Sequence, residues 1–139
     1  MTTMSTAVST SSTPSATGAV TGTPRRWLRV EGLAALMAGA GIYFAAGGPW
    51  LLLVPFVLAV DVSMAGYLAG PRAGALVYNL AHNQATGMLV LGAGAVSGVT
   101  PLVLAGAVLV GHAGMDRLAG YGLKYPTAFG DTHLGRIGR

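Results

Sequence analysis

Four apolar runs, each near the length that crosses a lipid bilayer, constrain this chain more than any other feature. They extend from about Leu28 to Ala46, Trp50 to Leu68, Arg72 to Val96 and Pro101 to Ala119. A helix rising about 1.5 Å per residue needs ~20 residues to cover ~30 Å of hydrocarbon, and each run meets that length. A soluble helical bundle needs a polar stripe on every helix, and LLLVPFVLAV in the second run has none. The connections Gly47-Gly48-Pro49, Gly70-Pro71 and Ser97-Gly98-Val99-Thr100 are short and built from helix-stopping residues. Short connections make successive helices antiparallel neighbours. The predicted fold class is therefore all-α, an integral membrane four-helix bundle running up-down-up-down. Pro55 lies inside the second run and predicts a kink there.

Composition agrees. The chain is 53% hydrophobic and 9% charged, against roughly 25% charged residues in soluble domains. Its 22 glycines suit helices that approach closely in lipid, and Ala35, Gly39 and Ala40 give a small-residue face for packing within the chain or for a homo-oligomer. The absence of cysteine excludes disulfides and thiolate ligands. The net charge of +4 does not form a nucleic-acid patch, because the basic residues are distributed at the ends of apolar runs and make no continuous patch. Arg25, Arg26 and Arg29 precede the first run, Arg72 sits in the second connection, and Arg117, Lys124, Arg136 and Arg139 close or follow the fourth. All would lie on one side of the membrane. The positive-inside rule makes that side cytoplasmic, so the expected location is the inner membrane with both termini in the cytoplasm.

Three regions follow. Residues 1–24 carry no charge and little large apolar surface, which predicts a disordered Ser/Thr/Ala-rich tail. Residues 25–120 make the four-span domain. Residues 121–139 make a cytoplasmic interfacial segment, in which Gly120 and Gly122 end the fourth helix.

Ionisable side chains in the runs fall in the half that the topology assigns to the cytoplasm. Asp61 lies about two turns inside the second helix. Asn79, His82 and Asn83 are spaced to share one side of the third, and His112 and Asp116 form an (i, i+4) pair on the fourth. A charged group at the bilayer centre costs at least ~2.5–3.5 kcal/mol, so these groups should turn inward and converge. Asp61, His82, His112 and Asp116 form the expected polar cluster, supported by Asn79, Asn83 and Arg72. Asp131 and His133 either shape a turn or reach towards the pocket mouth.

Several uses are open to such a cluster. It can be a hydrogen-bonded network that fixes helix register, in a structural or binding protein. It can hold a divalent metal, with His112 and Asp116 reaching a common ion and Asp61 and His82 completing the set, which would suit a hydrolase or transferase acting on lipid. It can also relay protons in a small transporter that works as an oligomer. Membrane lipid is the expected partner in each case.

The stretches DVSMAGYLAGPRAGALVYNLAHN and GHAGMDRLAGYGLKYPTAFGDTHLG resemble the small bacterial membrane proteins grouped as domain of unknown function 4260. The resemblance covers about Arg29 to Gly135 and rests on Asp61, Gly70, Pro71, Arg72, Tyr78, Asn79, His82, His112, Asp116, Tyr121, Lys124, Tyr125, Pro126, Asp131 and His133. It implies the four-helix membrane fold and transfers no catalytic or binding role. A looser likeness joins Ser63, Asp61, His82 and His112 to intramembrane metal hydrolases of the ceramidase type. Those resemble seven-helix bundles with a paired-histidine motif, where this chain has Asp116 as the second member.

Overall fold

A computed structural model describes residues 18–137. It is helical almost throughout, with α1 at Gly22–Ala45, α2 at Trp50–Asp61, α3 at Pro71–Ala81, α4 at Gln84–Ser97 and α5 at Thr100–Ala119. A 3-10 helix, Val62–Ala69, prolongs α2. Three helical stretches are long and apolar enough to cross a membrane: Gly22–Ala45, Trp50–Ala69 and Thr100–Ala119.

Two expectations are corrected here. The third run is not one helix from Arg72 to Val96, because it breaks at His82 and Asn83 into α3 and α4. Asn83 takes extended backbone angles, and its Oδ1 accepts the Thr86 N–H to cap α4. Its Nδ2 donates to Asn79 O, so one amide satisfies backbone groups on both sides of the break. Asparagine competes in this way for backbone groups that a continuous helix would use, which hydropathy does not register. The second correction concerns the tail. Residues 1–17 lie outside the described residues, but Gly22 to Pro24 already belong to α1. Just before it, Val20 N–H donates to His133 O at 2.7 Å and Gly18 O accepts from Tyr125 Oη at 2.7 Å.

The long helix α5 forms the centre, with α1 and α4 packed along it. Glycine makes both approaches possible. A Cβ on Gly39 would stand 2.5 Å from Ala107 O, and one on Gly114 would stand 2.5 Å from Leu36 N. On the other side, a Cβ on Gly94 would meet Val103 N at 2.5 Å. The expected Ala35–Gly39 face is thus used within the chain. The 3-10 helix packs against α3 through Tyr67, whose ring occupies the space over Gly74. Gly70 makes the turn between them with φ +103°, and Pro71 begins α3 at its first position.

After α5, left-handed Gly120 ends the helix. The chain then folds back into a small antiparallel hairpin, β1 Asp131–Thr132 with β2 Gly135–Arg136, bridged to Lys124. Leu134, in the turn between the two strands, is fully buried.

Candidate functional site

Three helical elements deliver the polar cluster. Asp61 is the last residue of α2, where the helix tightens to 3-10. His82 stands at the C-terminal cap of α3. His112 lies within α5, with Asp116 one turn later. The two imidazoles are nearly completely buried, and the Asp61 side chain is 36% exposed.

The distances converge on one carboxylate oxygen. His82 Nε2 and His112 Nε2 lie 3.3 Å and 3.4 Å from Asp61 Oδ1. Each also lies 3.9 Å from an Asp116 oxygen, His82 from Oδ2 and His112 from Oδ1. The histidine rings meet edge to face at 4.8 Å.

Protonation of His82 is set by its other nitrogen. Nδ1 lies 3.0 Å from Tyr78 O, and a carbonyl only accepts, so Nδ1 carries the hydrogen. Ser63 Oγ is 3.4 Å from the same nitrogen. In the neutral ring, Nε2 then presents a lone pair towards the Asp61 oxygen. Two acceptors facing each other at 3.3 Å require a proton or a cation between them. His112 sharpens the point, because both of its ring nitrogens are buried and without a hydrogen-bond partner. Among the described residues, no Lys or Arg stands within ion-pair distance of Asp61.

Asp116 is held from behind. Tyr78 Oη donates to Asp116 Oδ2 at 2.6 Å, and the Tyr78 ring stacks on His82 at 3.7 Å. Lys124 is buried beside this pair, its Nζ donating to Phe129 O at 2.9 Å and lying over the Phe129 and Tyr78 rings. Burial lowers the Lys124 ammonium below the ordinary lysine value, and nearby Asp116 opposes that shift.

Other residues singled out in the sequence have different positions. Asn79 turns to the C-terminal segment, where Nδ2 donates to Lys124 O at 2.9 Å and Oδ1 accepts Lys124 N–H at 2.7 Å. Asn83 is the α4 cap described above. Arg72 is exposed at the start of α3. Asp131 accepts from Thr127 Oγ1 and pairs with Arg136 in the hairpin. His133 Nδ1 accepts the Leu123 N–H at 2.8 Å. Burial and the Arg117 cation push this imidazole below the ordinary histidine value. Asp131 and His133 thus build the turn in which they sit. Tyr78 and Lys124 are the residues that sequence reasoning left out of the cluster, and Ser63 entered it only through the looser likeness to intramembrane metal hydrolases. Tyr78 was legible in principle, since it precedes His82 by one helical turn.

Two of the three donor separations match those around a first-row metal ion. Ligand bonds of about 2.0–2.2 Å in a tetrahedron put neighbouring donor atoms about 3.4 Å apart. The Asp61–His82 and Asp61–His112 separations are 3.3 Å and 3.4 Å, and all three donor atoms lie within 4.8 Å of one another. A histidine whose Nδ1–H donates to a backbone carbonyl is also the usual posture of a ligating imidazole.

The structure thus defines a class: an all-helical protein with three helices of membrane-crossing length and a buried His/Asp centre. The chain belongs to the DUF4260 family, described as a domain of unknown function, whose model matches residues 25–137. No curated protein and no solved structure matches it.

Proposed function

We propose that this is a multi-pass membrane protein that binds a divalent metal ion on Asp61, His82 and His112, with Asp116 as fourth or outer ligand. The carrying observation is His112, an imidazole with both nitrogens unpartnered, facing a carboxylate oxygen shared with the lone pair of His82. Nitrogen and oxygen donors without thiolate favour zinc or a neighbouring first-row ion. A fourth position left to water would give a nucleophile near neutral pH, the chemistry of a hydrolase or transferase.

Membrane insertion is supported by the outward face of α2, where Leu51, Val54 and Leu58 are exposed. In this reading α3 and α4 together make one crossing, the basic residues mark the cytoplasmic side, and both termini lie there. The centre then sits ~10 Å inside the membrane, since His112 lies seven residues before the end of α5.

The test is elemental analysis of detergent-purified protein beside His112→Ala and Asp61→Asn. Near-stoichiometric zinc, manganese or iron that both substitutions remove is the expected result. Folded wild type that takes up no metal after reconstitution would leave an imidazolium between two carboxylates, which suits the second reading of a proton-linked or register-fixing network. Proton flux in liposomes separates those two.

A further inference from the structure

An open-sided apolar groove of about 670 Å³ runs along α2 and α5, within the range of pockets that hold small organic molecules. Leu52, Phe56 and Ala59 line it on one side, and Leu104, Ala105 and Val108 on the other. From Leu52 to Ser63 the groove follows eleven residues of helix, roughly 16 Å. That is the reach of a medium-length hydrocarbon chain.

One end of the groove differs from the rest. Val60, Val62 and Ser63, which flank Asp61, belong to its wall. Ser63 is its one polar side chain, and its Oγ lies 3.4 Å from His82 Nδ1. Asp61 is the most exposed of the four cluster residues, its side chain 36% accessible against 16% for Asp116. The groove therefore runs from a wholly apolar stretch to Ser63, whose contact with His82 joins it to the His/Asp centre, while the four cluster residues themselves stand behind its wall. A ligand matched to both ends is apolar along its length and carries an oxygen-bearing polar group at one tip.

Building on the cation centre proposed above, we propose that the groove binds the hydrocarbon chain of an amphiphile, a fatty acid or a lipid ester, whose polar end lies at Asp61, His82 and His112. The carboxylate or ester oxygen would face the cation, with Ser63 at the junction of chain and head. Ala59 and Ala105 set the width of the groove, because small side chains on opposing walls leave the space that the chain fills.

The test is photo-crosslinking of zinc-loaded, full-length protein in detergent with a medium-chain fatty acid carrying a diazirine near its methyl end, followed by peptide mapping and zinc analysis. The expected result is saturable labelling of peptides containing Phe56 and Ala105, competed by the unlabelled acid. Labelling should fall to the level of the exposed α1 surface around Met37 in Ala59→Phe/Ala105→Phe, with zinc content unchanged. If that variant does not fold, competition in the wild type still decides. Unsaturable labelling spread evenly over α1 and the groove would overturn the proposal, as would a second copy crosslinked through the groove peptides. Zinc bound without groove labelling overturns the amphiphile and leaves the cation centre standing. Groove labelling without zinc supports the chain site and overturns the cation reading alone.

Discussion

Replacing Tyr78 by Phe removes one oxygen and tests whether Asp116 is held in place for the centre. The phenol donates to Asp116 Oδ2 at 2.6 Å, a short bond to a carboxylate that is only 16% exposed. Hydrogen bonds to charged groups contribute about 1.5–3 kcal/mol. At about 1.4 kcal/mol per tenfold, that corresponds to roughly a 10- to 100-fold loss of affinity. Outer partners of metal ligands independently show about 10- to 100-fold effects when removed. The ring itself is kept, so stacking on His82 at 3.7 Å and the Lys124 contact at 4.8 Å survive. The assay is competition for cobalt or zinc against a chromophoric chelator in detergent. The expected outcome is a weaker Kd with unchanged stoichiometry and a thermal midpoint that follows the lost metal. Unchanged affinity in Tyr78→Phe, with a large loss in Asp116→Asn, would refute the positioning role.

Four further outcomes are expected. Gly39→Ala places a Cβ 2.5 Å from Ala107 O and should cost about 1–3 kcal/mol in thermal or denaturant unfolding. Gly41→Ala, with nothing within 4 Å, should be neutral or gain about 0.5–1 kcal/mol. Asn79→Leu leaves the Lys124 N–H and C=O without their amide partner and should accelerate tryptic cleavage after Lys124, while metal content persists. His133 has a folded pKa below its ordinary value of 6.5, so the unfolded chain takes up the proton first. The C-terminal segment should therefore lose stability as pH falls below about 6.5. Hydrogen exchange at pH 8 and 5.5 reads this, and His133→Gln should flatten the difference.

The cluster residues were legible because their rule is energetic. Asp61, His82, His112 and Asp116 are ionisable groups within apolar runs, and such groups are costly unless they meet partners. The (i, i+4) spacing of His112 and Asp116 was visible for the same local reason. The pairing of Asn79 with Lys124 was not, because 45 residues separate them and only the fold-back after Gly120 brings them together. Asp131 and His133 sit near each other in sequence, yet their partners are turn groups that no hydropathy pattern describes.

By itself the sequence determined where the apolar runs lie and where most of their helices end, since hydropathy, glycine and proline act within a few residues. Helix α5 begins and stops within a residue of expectation for that reason. The break of the third run at Asn83 is local too, but it rests on one side-chain amide that satisfies backbone groups three and four residues away, which hydropathy does not register. Tertiary structure decided which helix lies at the centre. Hydropathy measures how much apolar surface a helix carries, whereas neighbours are chosen by where glycine lets two backbones touch, and Gly39, Gly114 and Gly94 place those contacts on α5.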